Sequence, residues 1–118
     1  MSLEKDHFDI MGERIKRQAP FLRSVLNEGS AAARRHMFRM ANKDQINAIS
    51  ELILNTLKGN VPVSKITRHG LAPHANLLRQ LGRRRASLMS RRKLLMNQSG
   101  GDFWPHLHRC YRRVCGHW

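Results

Sequence analysis

The chain has 118 residues, which is enough for one small domain with tails. Aromatic residues make up only 6% of it, a content that argues against a β-sandwich or a β-barrel and favours helices packed through leucine, isoleucine and methionine. The net charge is +14, and no apolar run approaches the roughly 18 residues of a membrane span. The composition therefore predicts an all-α protein: a small helical domain of four to six short helices, with a basic C-terminal helical arm, a flexible tail and no transmembrane segment.

The first part of the chain is predicted to be a flexible lead followed by a helical core. Residues 1–18 are charged and weakly patterned, as is typical of a flexible N-terminal lead, either a frayed helix or a disordered segment, and residues 19–82 hold the helical core. Ser30 is placed to cap one core helix. Asn42 and Gln45 have the spacing of a capping box at the start of the next helix, which carries the clearest apolar stripe.

A basic helical arm is predicted to follow the core. Residues 83–101 contain a helix that Ser87 can cap, and the arm ends in the double glycine Gly100-Gly101. The last residues, 102–118, have no continuous pattern and are expected to form an irregular tail. The leucines expected to hold the arm against the core, or against a neighbouring copy, are Leu77, Leu81, Leu88, Leu94 and Leu95.

Positive charge is concentrated in the second half of the chain. Residues 52–101 hold 10 Lys and Arg but no Asp or Glu, whereas residues 1–51 hold 9 Lys and Arg and 7 Asp and Glu. A segment without carboxylates cannot neutralise itself by internal ion pairs, so it favours an external polyanion, and nucleic acid is the commonest one. The cations expected to neutralise phosphates are Arg79, Arg83, Arg84, Arg85, Arg91, Arg92 and Lys93.

The arrangement of these cations predicts binding to the phosphate backbone without reading of the bases. On a helix they spread around the axis, and no set of side chains stands out as a recognition helix. The sequence therefore predicts binding of double-stranded DNA with little sequence preference. Two other functions stay open: a basic amphipathic helix that docks on an acidic protein groove or an anionic membrane surface, and a regulator of the helix-turn-helix type. A solvated face, or a nuclear-localisation signal alone, would also account for the composition.

The sequence lacks the motifs of common enzyme classes. There is no P-loop, no G-x-S-x-G, no H-E-x-x-H and no dinucleotide-binding fingerprint, and the eight carboxylates have no paired spacing. We therefore expect no enzymatic activity, no cofactor and no small-molecule substrate.

Five residues near the end of the chain carry side chains that can bind zinc. Their spacing matches no standard set of zinc ligands, so they are weak candidates and the sequence predicts no metal. Two cysteines do not make a disulfide framework, and the first residues show no apolar signal region, so we expect an intracellular and not a secreted protein. The candidate ligands are His106, His108, Cys110, Cys115 and His117.

Two stretches of the chain together resemble a viral family. The first, ILNTLKGNVPVS, spans residues 53–64, and the second, LAPHANLLRQLGRRRASLMSRRKLLMNQSGG, spans residues 71–101. Their order and spacing are similar to those of small basic proteins encoded by adintoviruses and related Polinton-type elements of animals. Those proteins end in a basic segment closed by Gly-Gly and resemble the adenovirus core protein X (the mu precursor). The resemblance covers about residues 43–101.

This resemblance implies a virion core or capsid-associated protein that helps to condense a double-stranded DNA genome, in the virion core or the host nucleus, with DNA and capsid proteins as partners. Proteases of the adenovirus type cut after Gly-Gly where Ile, Leu or Met stands two residues before the pair, and Gln98 holds that position here. The tail of that family is apolar and rich in glycine. Residues 102–118 depart from that pattern, which suggests a shifted or decayed reading frame in an endogenised copy.

Overall fold

The part of the chain that the computed structural model describes comprises residues 12–57, 69, 72–81, 83, 86–101 and 103–115. All regular secondary structure in these residues is helical, which confirms the predicted all-α class. A helical segment over residues 12–17 and a 3-10 turn at Ala72–His74 accompany the main helices. The main helices are α1 (Ala19–Asn27), α2 (Ala31–Met40), α3 (Lys43–Leu57), α4 (Ala75–Leu81), α5 (Leu88–Asn97) and α6 (Phe103–Cys115).

The starts of α2, α3 and α5 are fixed by local side chains, as the sequence predicts. The hydroxyl of Ser30 accepts a hydrogen bond of 3.2 Å from the backbone N–H three residues further on, and that of Ser87 accepts one of 3.1 Å in the same way. Asn42 and Gln45 form the predicted capping box, in which each side chain accepts a hydrogen bond of 2.9 Å from the other residue's backbone N–H. These bonds satisfy N–H groups that a helix start leaves without a partner, so the predicted starts of these helices are confirmed.

The apolar core is centred on α3, which packs against α1, α4, α5 and α6. Full burial of one such apolar side chain contributes about 1.5–3 kcal/mol to folding. The side chains at or below 1% exposure are Ile15, Leu22, Val25, Phe38, Ile46, Ala48, Ile49, Leu52, Ile53, Leu81, Leu95, Phe103, Trp104 and Leu107.

The basic segment belongs to this core and is not a separate arm. Helix α5 packs against α2 and α3, and the five leucines expected to anchor it lie inside the core or against it, which confirms their predicted role. Helices α2 and α5 run antiparallel, because Arg34 near the start of α2 contacts Ser99 after the end of α5. The predicted division between a core over 19–82 and an arm over 83–101 is therefore corrected.

The structure also corrects the predicted irregular tail over 102–118. Residues Phe103–Cys115 form a helix, and Phe103, Trp104 and Leu107 are at most 1% exposed. Apolar residues recur along this helix every three or four positions, which is the spacing that one buried helical face requires. A segment that fills the core of its own domain gives no support to a shifted reading frame.

The predicted flexible lead is likewise corrected where the structure describes it. Residues 12–17 are helical, Ile15 is 1% exposed, and the side-chain amide of Gln18 donates a hydrogen bond of 2.6 Å to Asp44. These contacts fix the segment on the start of α3. Residues 1–11 of the predicted lead lie outside the described residues.

Candidate nucleic-acid interface

Arg92, which the sequence assigns to phosphate binding, is held by the end of α2. Its Nη1 donates hydrogen bonds to the carbonyl oxygens of Phe38, Arg39 and Ala41 at 3.0, 2.9 and 2.6 Å. The last carbonyl oxygens of a helix have no partner within it, and the helix dipole favours a cation there. Nη1 of Arg92 therefore caps α2 and is not free to bind phosphate.

Arg91 is also turned towards the protein. Its Nη1 donates a hydrogen bond of 3.0 Å to the side-chain oxygen of Asn47 on α3, and its Nε is buried without a hydrogen-bond partner among the described residues. The side chain lines a polar pocket of about 300 Å³ together with Arg14 and Glu51. Arg91 thus lies between α5 and α3 and not on the outer surface of the basic segment.

The seven predicted phosphate ligands do not form one surface. Arg79 on α4, Arg83 after it and Lys93 on α5 are exposed, as predicted. Arg84 and Arg85 lie outside the described residues. Because Arg91 and Arg92 hydrogen-bond to other parts of the protein, only part of the predicted set is available at the surface.

Carboxylates are concentrated where residues 12–18 meet α3. Asp44 accepts hydrogen bonds from Arg17 at 2.9 Å, from Gln18 at 2.6 Å and from Arg14 at 3.3 Å. The hydrogen bonds from Arg17 and Gln18 are the main reason that the pKa of Asp44 falls from 3.8 to about 2. Glu51 pairs with Arg14 at 3.4 Å. Positive charge on this side of the protein is therefore compensated.

The other two carboxylates in the described residues are engaged as well. Glu13 pairs with Lys16 at 3.5 Å, and Glu28 accepts a hydrogen bond of 3.1 Å from the backbone N–H of Ser30. Every carboxylate in the described part of the chain is thus bound to a cation or to a backbone N–H. None of them forms an ion pair with the other exposed cations of the described residues.

A set of exposed cations that the sequence did not single out lies on α2 and beside it. Arg35 and Arg39 are one helical turn apart on α2, and Lys43 opens α3 just after the end of α2. Arg92 reaches from α5 to that same end of α2, and its exposed chain neighbour Lys93 therefore lies near this end. Within the described residues none of the four has an ion pair. We call Arg35, Arg39, Lys43 and Lys93 the basic face.

Arg34 has a structural role that no motif in the sequence indicates. It is 5% exposed, and its guanidinium donates to the carbonyl oxygens of Val25 at 3.0 Å, of Ser99 at 2.7 Å and of Glu28. The Trp104 ring lies 5.3 Å from its Cζ, within the range of a cation–π contact. Burial lowers the pKa of Arg34. Arg34 therefore joins the end of α1, the residues after α5 and the start of α6.

The candidate zinc ligands do not converge where they are described. Among the described residues no group of three His, Cys, Asp or Glu side chains could hold a metal ion. Cys110 is 2% exposed and lies in the core, while burial and the charge of Arg112 lower the pKa of His108. His117 and the side chain of Cys115 lie outside the described residues.

The helices are short. The longest of those described, α3, has 15 residues. In the described part of the chain no helix combines the length and the apolar character that crossing a membrane requires. Comparison of the chain with protein-family models, with curated proteins and with solved structures finds no match in any of the three.

Proposed function

We propose that the protein binds double-stranded nucleic acid through its basic face, without sequence preference. The observation that carries this proposal is the separation of charge. The four described carboxylates are all engaged, three of them with cations of residues 12–17, whereas Arg35, Arg39, Lys43 and Lys93 are exposed and have no ion pair among the described residues. Such a surface attracts a polyanion because phosphates replace the missing counter-charges.

The chemistry of the basic face favours contacts with the phosphate backbone over contacts with base edges. Arginine guanidinium groups form bidentate hydrogen bonds with phosphate, and lysine contributes a mobile point charge. A recognition helix instead presents several side chains that can pair with bases in the major groove. The exposed side of α2 carries cations and the neighbouring His36, so these residues are suited to neutralising the phosphate backbone of a nucleic acid.

The positions of the aromatic residues favour a duplex over a single strand. Binding of single strands relies on exposed aromatic rings on which unpaired bases stack. Phe38, Phe103, Trp104 and Tyr111 are at most 2% exposed, and Phe21 is half-buried. Because the described residues offer no fully exposed Phe, Trp or Tyr ring, an unpaired base would gain little by stacking on this surface.

Genome condensation in a virion core, or in the host nucleus, is the biological setting that we propose for this activity. Its support is the resemblance of residues 43–101 to the small basic proteins of adintoviruses and Polinton-type elements, together with the net charge of +14. Condensation needs a protein that neutralises phosphates at any position along the DNA, and an interface that does not read the bases provides this. Light scattering of long duplex DNA, titrated with the protein up to charge neutrality, tests this setting, and a lack of compaction would contradict it.

Salt-dependent binding to a duplex of mixed sequence tests the interface itself. The logarithm of the association constant should fall against the logarithm of the salt concentration by about 0.9 for each phosphate contacted. Arg35→Gln with Arg39→Gln should therefore reduce that slope by about 1.8 if each arginine contacts one phosphate. Fluorescence anisotropy over a series of NaCl concentrations measures the slope.

The matched control is Arg14→Gln with Arg17→Gln, which removes the same charge from the side where Asp44 and Glu51 compensate it. This control should leave the slope nearly unchanged. Equal losses in both double variants would mean that net charge alone drives binding, without an interface. Failure of the unaltered protein to bind any duplex at low salt would overturn the proposal as a whole.

A further inference from the structure

An open groove lies between α1 and α2, at the start of α3. Its volume is about 520 Å³, which is within the range of clefts that hold ligands. The apolar part of its lining comes from Pro20 and Phe21 on α1, from Met37 and Met40 on α2, and from Ala41 just after α2. Neither Arg35 nor Arg39 lines the groove.

The apolar lining of the groove is uncovered to an unusual degree. Met40 is 70% exposed, one of two large apolar side chains in the described residues that are so exposed, while Phe21 and Met37 are half-buried against the core. Methionine is unbranched and polarisable, and it adapts to the shape of a partner. Grooves lined in this way accept the apolar face of an amphipathic helix.

The charges around the groove select the kind of helix that fits. No carboxylate lines the groove, and its charged or titratable lining residues are Arg17 and His36. Arg17 is compensated by Asp44, but Arg39 and Lys43 flank Met40 and Ala41 in the chain and are exposed without an ion pair among the described residues. A basic partner would be repelled here, whereas carboxylates beside an apolar stripe would be attracted.

We propose that this groove binds an acidic amphipathic helix of a partner protein. Apolar side chains at positions i, i+3 or i+4, and i+7 of that helix would cover Phe21, Met37 and Met40, and carboxylates along its edge would face Arg39 and Lys43. A nucleic acid backbone has no apolar face that could cover these methionines. The proposal goes beyond nucleic-acid binding and does not depend on it.

Two lysine substitutions separate groove binding from attraction by charge alone. Met40→Lys removes apolar contact from the groove while adding a positive charge, in the last turn of α2 where lysine is favourable. Met89→Lys adds the same charge on α5 at a methionine that is 80% exposed and does not line the groove. The probe is a fluorescein-labelled synthetic helix with leucines on one face and glutamates along both edges, and binding is measured by anisotropy.

Met40→Lys should weaken binding of this probe by about ten-fold or more, the effect of losing one well-packed apolar side chain, in spite of the added charge. Met89→Lys should bind it as tightly as the unaltered protein, or more tightly. If both variants bind the acidic helix equally well, attraction is purely electrostatic and the proposal is wrong.

Two further measurements exclude other occupants of the groove. The first measures binding of the protein to vesicles of equal parts phosphatidylcholine and phosphatidylserine. If Met40→Lys abolishes binding to these vesicles but not to the acidic helix, the groove faces lipid and the proposal is overturned. Duplex DNA should bind Met40→Lys at least as tightly as the unaltered protein. Loss of helix binding with retained DNA binding would thus support this site independently of the nucleic-acid interface.

Discussion

The guanidinium of Arg92 lies against the end of α2, with Nη1 2.6 Å from the carbonyl oxygen of Ala41. Its chain neighbour Lys93 is exposed to solvent. Two adjacent cations in one basic run therefore do different things, because they point in different directions from the helix: Arg92 contacts the end of α2, and Lys93 is left in solvent. The number of cations in a basic segment thus overstates the number that can meet a phosphate.

Replacement of Arg92 by alanine should destabilise the protein. It would remove the charged donor from three carbonyl oxygens at the end of α2, of which that of Phe38 keeps the backbone N–H of Ala41, and hydrogen bonds of charged groups contribute about 1.5–3 kcal/mol. We expect the free energy of unfolding to fall by about 2 kcal/mol, measured by urea denaturation followed by circular dichroism. Lys93→Ala should change it by less than about 0.5 kcal/mol. Equal effects of the two variants would contradict the capping role.

Arg34→Ala should be more damaging than Arg92→Ala. Arg34 is buried and binds three carbonyl oxygens from separate parts of the chain, so its loss leaves these acceptors buried and unpaired beside a cavity. Each unpaired buried group costs about 1–3 kcal/mol, and we expect a total loss of about 3 kcal/mol or more in urea denaturation. The adjacent exposed Arg35 provides the control, since Arg35→Ala should change stability by about 0.5 kcal/mol at most. A loss below about 1 kcal/mol for Arg34→Ala would show that the buried network carries little energy.

Asp44 should make the stability of the folded protein depend on pH in the acidic range. Its folded-state pKa of about 2 lies below the ordinary value of 3.8, so its ionised form stabilises the fold above about pH 4. That contribution should be lost as the pH falls through the interval from about 4 to about 2. The Tm of Asp44→Asn should therefore lie below that of the unaltered protein at neutral pH, and the difference should shrink towards zero near pH 2. If the difference in Tm between the two proteins stayed constant over this pH interval, ionisation of Asp44 would not be its cause.

Leu107→Ala should report whether α6 is docked in solution. Leu107 is 1% exposed, and replacement of a buried leucine by alanine costs about 2–5 kcal/mol. Thermal unfolding should show a matching fall in Tm, whereas Arg109→Ala, on the exposed side of the same helix, should have almost no effect. If Leu107→Ala were neutral, the segment would be loose, as an irregular tail would be.

The features that depend on nearby residues could be predicted from the sequence. The caps at Ser30, Asn42 and Ser87 were predicted because each needs only a hydroxyl or amide and a backbone N–H three residues away. The all-α class followed from composition and periodicity for the same reason. The apolar spacing of Phe103, Leu107 and Tyr111 also indicates a helix, but basic residues and an unfamiliar tail pattern obscured it.

The features that depend on distant residues could not be predicted. Nothing around Arg34 distinguishes it from Arg35, because its burial is decided by Ser99, 65 positions further along the chain. For the same reason the cations of α5 could not be sorted into those that bind α2 or α3 and those that face solvent. The basic face was missed because it combines cations from three helices, two of which lie in the half of the sequence that looks nearly balanced in charge.

The bond from Arg34 to Ser99 has a kinetic consequence. It closes a loop of 65 residues, so the chain must lose the entropy of that closure before this network forms. Proteins whose contacts join distant parts of the sequence fold more slowly than helical bundles built from neighbouring hairpins. This domain should therefore fold more slowly than its size and helix content alone suggest. We expect the hydrogen bonds of Arg34 to be among the last contacts to form.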